Sequence, residues 1–197
     1  MKNIEKNLKY IKEVKAEDIE WTKLFGAYSY GRKIGEDIKN NNLLNLEILK
    51  NIRGEIEHQS TLWTLTPFTM IFLIRQLEKE YGEKKEEYCY ILKIYKLIVE
   101  TIKDIKNEYF VEESIEDLEV YPEMRCLFNI EINLEDFDDE EEYIEAHFEE
   151  EDLEREYNSS FYYTNFVIEN SKDIIKKLLN SEDKDIKNLA KEILENF

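Results

Sequence analysis

An all-α protein built of stacked antiparallel helical hairpins is what this 197-residue sequence predicts. Three observations carry that expectation. The chain holds only five Gly and two Pro, so turn signals are scarce while helix formers abound. Apolar residues recur at helical spacing over long stretches, most plainly from Tyr88 to Ile105. The C-terminus reads as a helix, a short acidic break and a returning helix, one unit of a stacked array. At this length roughly 70% of the unfolded chain's surface can be buried, which suits a single domain over residues 1–197.

From the N-terminus, residues 3 to 15 predict a lysine-rich amphipathic helix with Ile4, Leu8, Ile11 and Val14 on one side. Trp21, Leu24, Phe25 and Tyr28 continue the helical spacing, and Gly31 and Gly35 punctuate the next stretch. Glu36 and Asp37 suit a helix start, where the backbone dipole favours negative charge. Ile38, Leu43, Leu44, Leu46, Ile48, Leu49 and Ile52 then supply the apolar faces of the next pair. The first arm of a hairpin runs to about His58, and its second arm opens at Thr66-Pro67 after a polar turn. The Thr66 hydroxyl can cap that helix, and Pro67 fits its first helical position, where no amide donor is needed. Met70, Leu73, Ile74, Leu77 and Tyr81 make one side apolar, while Phe68, Ile71 and Phe72 make the other apolar too. Such a helix must be covered on several sides. Gly82 is expected to stop it.

Beyond Gly82, Tyr88, Ile91, Leu92, Tyr95, Ile98, Val99, Ile102 and Ile105 keep one stripe over four or more turns, the pattern of a core helix. The composition then changes. Residues 107–157 hold 22 acidic and 2 basic residues, and the remaining 146 hold 24 acidic and 25 basic. The formal charge of -19 therefore resides in one segment. Within it, Phe128, Ile130, Ile132 and Leu134 alternate with Asn129, Glu131 and Asn133. A short strand or an irregular acidic insertion near 125–135 fits that alternation, and so does a distorted helix begun by Pro122. Phe137, Tyr143, Ile144, Phe148 and Leu153 give a weak helical stripe among the carboxylates further on. Ile174, Ile175, Leu178 and Leu179 precede the Ser181-Glu182-Asp183 break, and Ile186, Leu189, Ala190, Ile193, Leu194 and Phe197 come after it at helical offsets.

Trp21, Leu24 and Ala27-Tyr28, then His58-Gln59-Ser60-Thr61 followed by Pro67-Phe68 and Leu73-Ile74, resemble a group of bacterial HEAT-like repeat proteins. That group tends to carry a Trp, an Ala-Tyr-Gly and a His-Gln-Gly-Thr ahead of a Pro-Phe-Leu helix. Here Ser60 replaces the usual Gly, and Ser29 and Tyr30 stand between Tyr28 and Gly31. The resemblance covers about residues 17–81, with a generic repeat unit at 171–197, and excludes the acidic middle. It implies an α-solenoid. Because such proteins often sit beside secreted polymorphic toxins as immunity proteins, it also implies protein binding rather than catalysis.

Few residue patterns suggest chemistry. Glu55 and His58 form a Glu-x-x-His step, but the only other histidine, His147, has Ile144 three residues before it. A di-metal carboxylate bundle needs two such steps. At a helix end, His58 more simply closes hydrogen bonds to nearby hydroxyls or backbone. No Gly-x-Ser-x-Gly elbow, phosphate-cradling glycine loop or EF-hand loop is present. Cys89 and Cys126 are isolated and read as reduced packing residues. Trp21, Trp63, Tyr28 and Tyr30 suggest either an aromatic ledge or inter-helix packing. The net charge argues against a nucleic-acid ligand. The N-terminus lacks the apolar core of a signal peptide, and the longest uncharged run, 58–74, is too short and polar to span a bilayer. A cytoplasmic protein is expected.

The acidic run over 136–156 reads in two ways. Charge runs are commonly solvated faces. Aromatic groups among carboxylates, however, are what a surface for a basic protein needs, anchors for packing and charge for steering. The binding residues expected on that reading are Asp136, Asp138, Asp139, Glu140, Glu141, Glu142, Tyr143, Glu145 and Glu149. The partner would be a basic protein such as a toxin domain, with no catalytic residue, metal or cofactor. The alternatives are a helical metal-dependent enzyme using Glu55 and His58, and a generic HEAT-like scaffold for another protein.

Overall fold

The computed structural model describes residues 2–108, 123–150 and 153–197. Eight α-helices account for most of them: α1 (Lys2–Glu13), α2 (Arg32–Lys39), α3 (Leu46–Ile56), α4 (Leu65–Leu77), α5 (Lys85–Glu108), α6 (Glu140–Glu150), α7 (Leu153–Leu178) and α8 (Lys184–Leu194). The fold is all-α. Among the described residues no helix is long and apolar enough to cross a membrane.

The molecule is built around α4. Every residue from Leu65 to Ile74 is buried, as a helix apolar on both sides requires. It packs on α3 and α5, its neighbours in the chain, and most extensively on α7, which arrives some eighty residues later. Helix α8 folds back on α7 and covers α5. Tyr88, Ile91, Leu92, Tyr95, Ile98, Val99 and Ile102 of α5 are all buried and Ile105, the last of the stripe, is half-buried, so the stripe read from the sequence is the core face. The Tyr95 hydroxyl bonds to Ser171 Oγ at 2.8 Å, tying α5 to α7, and burial holds its ionisation far above the ordinary phenol value. Asp183 caps α8 by accepting the Asp185 amide at 2.9 Å, and Lys85 of α5 reaches both carboxylates at 2.8 Å.

Several local expectations shift. Residues 16–31 do not continue a helix. They form 3-10 turns at Ala16–Asp18 and Trp21–Lys23, then a tight loop closed by the Phe25–Tyr30 bridge. Trp21 is buried, and its indole N–H donates to Ala16 C=O at 2.8 Å. Its ring lies so close to Gly35 that a Cβ there would meet Trp21 Cγ at 2.2 Å, so this glycine, inside α2, permits packing rather than a turn. Helix α2 begins at Arg32, four residues ahead of the start expected at Glu36. The chain leaves α3 through a two-strand hairpin, β1 (Glu57–His58) and β2 (Thr61–Leu62), not a helix end. Its turn residues Gln59 and Ser60 have φ of 50° and 61°, the backbone of a primed two-residue turn. Thr66 does not cap α4, and Pro67 is the third residue of the helix rather than its first, because the helix already opens at Leu65. Thr66 lies within the helix, accepting the Trp63 amide at 3.0 Å and donating to Ile56 C=O, so it ties α4 back to α3. Helix α4 ends at Leu77, before Gly82 is reached.

Near 125–135 the irregular alternative holds among the described residues. Two 3-10 turns, Met124–Phe128 and Leu134–Asp136, flank a stretch that pairs with no strand. The alternation is nevertheless real, since Phe128, Ile130 and Ile132 are buried while Asn129, Glu131 and Asn133 are exposed. Pro122 lies outside the described residues. Cys89 and Cys126 are unpaired and half-buried, and burial pushes the Cys89 thiol up.

Candidate functional site

Acidic segment 129–150 sits on a small core of its own, separate from the main one. Phe25 and Tyr30 from the tight loop pack with Ile130, Ile132 and Tyr143, joined by Leu134, Phe137, Ile144 and Ala146 at the margin. The stripe in α6 explains why. With 3.6 residues per turn, Tyr143 and His147 fall on one face and Glu141, Glu142 and Glu145 on others. The apolar face turns toward the loop, and the carboxylates face outward.

Tyr143 is the chief departure from the expected binding face. It is 0% exposed, its ring lies among Phe25, Tyr30 and Phe137, and its hydroxyl donates to Thr22 C=O at 2.8 Å. It anchors the segment to its own chain and is no exposed contact for a partner. The sequence shows an aromatic among acids, but not which way it points.

The carboxylates divide by what they do within the chain. Asp139 caps α6, its Oδ1 accepting the Glu141 and Glu142 amides at 2.9 Å each. Glu140 Oε1 accepts the Tyr30 hydroxyl at 2.6 Å and the Arg32 guanidinium at 3.0 Å, which locks the start of α6 to the loop. Burial first, and then this bond to Glu140, push the Tyr30 phenol up to about 12. Asp136 is exposed and meets Asn133 Nδ2 at 3.4 Å. Asp138, Glu141, Glu142 and Glu145 are exposed and make no ion pair among the described residues. The side chain of Glu149 lies outside the described residues.

Sequence reasoning missed His147. It is 1% exposed, and its ring stacks on Phe25 with centroids 3.5 Å apart and planes 2° from parallel. Its Nε2 lies 3.1 Å from Oε2 of buried Glu156 on α7. A carboxylate there calls for the Nε2–H form of the imidazole. The pair joins α6 to the frame. A histidine on the apolar face of an otherwise acidic helix was the available signal.

Glu55 and His58 are both engaged with the tight loop. Glu55, 8% exposed, accepts the Tyr28 and Ser29 amides through Oε2 at 3.1 Å each, and its backbone C=O accepts the Ala27 amide at 2.9 Å. Gly26 makes the approach possible, because a Cβ there would lie 2.6 Å from Glu55 Oε2. The Tyr28 hydroxyl lies 3.0 Å from His58 Nδ1 and 3.1 Å from Nε2. The Ala27-Tyr28 and His58-to-Thr61 motifs, thirty residues apart, thus meet at one place. Of the four aromatics of the suggested ledge, Trp21 and Tyr30 are buried and Trp63 is half-buried, its ring edge-on to Phe148 and Tyr157; Tyr28 alone is exposed. Among the described residues no group of three or more His, Cys, Asp or Glu is arranged to hold a metal ion. Compared with protein-family models, with curated proteins and with solved structures, the chain matches none.

Proposed function

We propose that the chain is a non-enzymatic protein-binding module of the HEAT-like kind, and that its acidic face captures a basic protein, as an immunity protein captures a cationic toxin domain. The observation that carries this reading is the outward set of Asp136, Asp138, Glu141, Glu142 and Glu145, on a segment whose apolar residues point inward. Crowded, unpaired carboxylates repel one another, and a cationic partner relieves that repulsion. Inhibition would be steric, with charge steering the encounter.

The test is the association rate with a basic nuclease domain, followed against salt. Replacing Asp138 by Asn and Glu141, Glu142 and Glu145 by Gln leaves the Asp139 cap and the Glu140–Tyr30 contact in place. The variant is expected to keep its helical signature and to associate about tenfold more slowly or worse at low salt. An association rate that ignored both the substitutions and the salt would end the acidic-face reading.

A further inference from the structure

The loop that receives α6 also presents the most exposed large aromatic side chain among the described residues. Only two large apolar or aromatic side chains are exposed there, Ile4 at 49% and Tyr28 at 62%. Ile4 lies in α1, whereas Tyr28 is on the loop that holds the acidic segment. Its backbone is fixed from several directions. The Gly26 amide donates to Ser29 C=O at 2.7 Å, the Ala27 amide to Glu55 C=O, and the Tyr28 and Ser29 amides to the buried Glu55 carboxylate. The ring itself stands edge-on to His58, with centroids 5.0 Å apart, and its hydroxyl is engaged by the imidazole. With the phenol occupied, the ring face is what remains to offer. A tyrosine held this way loses little side-chain freedom on binding, the property that makes tyrosine a good anchor at interfaces.

Its neighbours set the chemistry. Tyr30 lies two residues on, at most about 7 Å along the backbone, and its hydroxyl bonds to Glu140 at the start of the acidic helix. The exposed Tyr28 ring is thus carried by the same short loop that Glu140, at the start of the acidic helix, grips through Tyr30. Of the aromatics of the acidic segment itself, Tyr143 is wholly buried, and Phe137 and Phe148 are half-buried against neighbouring rings, which leaves Tyr28 the most open ring.

Resting on the proposed capture of a basic protein, we infer that Tyr28, braced by His58 and Glu55, is the aromatic anchor of that surface, and that it receives an arginine of the partner. A planar guanidinium stacks on a ring face while keeping its N–H groups free for carboxylates; a lysine ammonium is more strongly hydrated and lacks that geometry. The partner therefore presents arginine at this point, flanked by further basic residues over α6.

Octa-arginine and octa-lysine peptides serve as probes, titrated at low ionic strength into the wild-type chain, Tyr28→Ala, Tyr28→Phe and a Glu141→Gln/Glu142→Gln/Glu145→Gln variant. The wild type is expected to hold octa-arginine more tightly than octa-lysine by about three- to fivefold. Tyr28→Ala should erase that preference with an unchanged melting temperature, and Tyr28→Phe should keep it. The triple variant should weaken both peptides. If Tyr28→Ala leaves the arginine preference intact while the triple variant still weakens binding, the anchor is disproved and the acidic-face reading survives. Equal weakening of both peptides by Tyr28→Ala disproves the arginine assignment. Failure of the wild type to bind either peptide removes both readings together.

Discussion

The frame around α4 and the acidic segment over 129–150 are held by different means. In the frame, ten consecutive buried residues, Leu65 to Ile74, are surrounded by α3, α5 and α7, so its cohesion comes from apolar area packed from several directions. The acidic segment has five buried residues in its own cluster, two of them lent by the tight loop. Much of its attachment is polar and local: Tyr143 to Thr22, Tyr30 and Arg32 to Glu140, His147 to Glu156. A chain can thus carry a dense anionic face without weakening its core, provided the face rests on a separate small platform. The expected consequence is uneven stability, with the segment opening below the global unfolding energy.

The largest effect should come from cutting the frame. Phe68 is fully buried between the rings of Tyr10 and Phe128. Phe68→Ala is expected to lower global stability by about 3–5 kcal/mol, read from denaturant unfolding. Next comes Tyr143→Ala, which removes the centre of the small platform. Amide exchange is expected to accelerate over 129–150 while protection in α4 and α5 stays near wild type. Equal loss of protection in both regions would show a single cooperative unit and erase the contrast between them.

A smaller, opposite effect is expected at the hairpin between α3 and α4. Ser60 occupies left-handed backbone at φ 61°, where a side chain is disfavoured by about 1 kcal/mol. Ser60→Gly should raise the melting temperature slightly, and a fall would show that the serine side chain supports the turn. The smallest effect concerns pH. The Lys85 ammonium beside Asp183 holds that carboxyl below its usual value. A depressed carboxyl stabilises the fold above its unfolded value of about 4, and the contribution fades as pH drops through the lower folded value. The stability difference between wild type and Asp183→Asn should therefore be present at neutral pH and shrink in acid. A difference that grew in acid would contradict the assignment.

Legibility from sequence varies by region. Helix α5 can be read directly, because seven of the eight positions on its stripe are buried where the period places them and Ile105, near its end, is half-buried. The alternation at 128–132 is also legible as alternation, since burial follows it residue by residue. Its expression as irregular chain without a partner strand is not, because ladder pairing depends on a second segment that periodicity does not reveal. The loop at 25–31 carries helical spacing yet is no helix, for a similar reason. Its conformation is set by Glu55, about thirty residues away, which accepts amides that a helix would have used internally. On the candidate face, the exposed carboxylates are legible by composition alone. The inward turn of Tyr143 and the buried pairing of His147 with Glu156 are not.

By itself the sequence determined the all-α class, the central apolar helix, the long core helix after it and the confinement of charge to one segment. These properties come from composition and period, which belong to neighbouring residues. The tertiary structure alone decided that the motifs at Ala27-Tyr28 and His58 meet, that Glu55 braces the loop between them, and that Tyr143 of the acidic segment faces inward while Tyr28 faces out. Those outcomes depend on which distant surfaces must be covered and which buried polar groups must find partners. Both are settled only when remote parts of the chain come together.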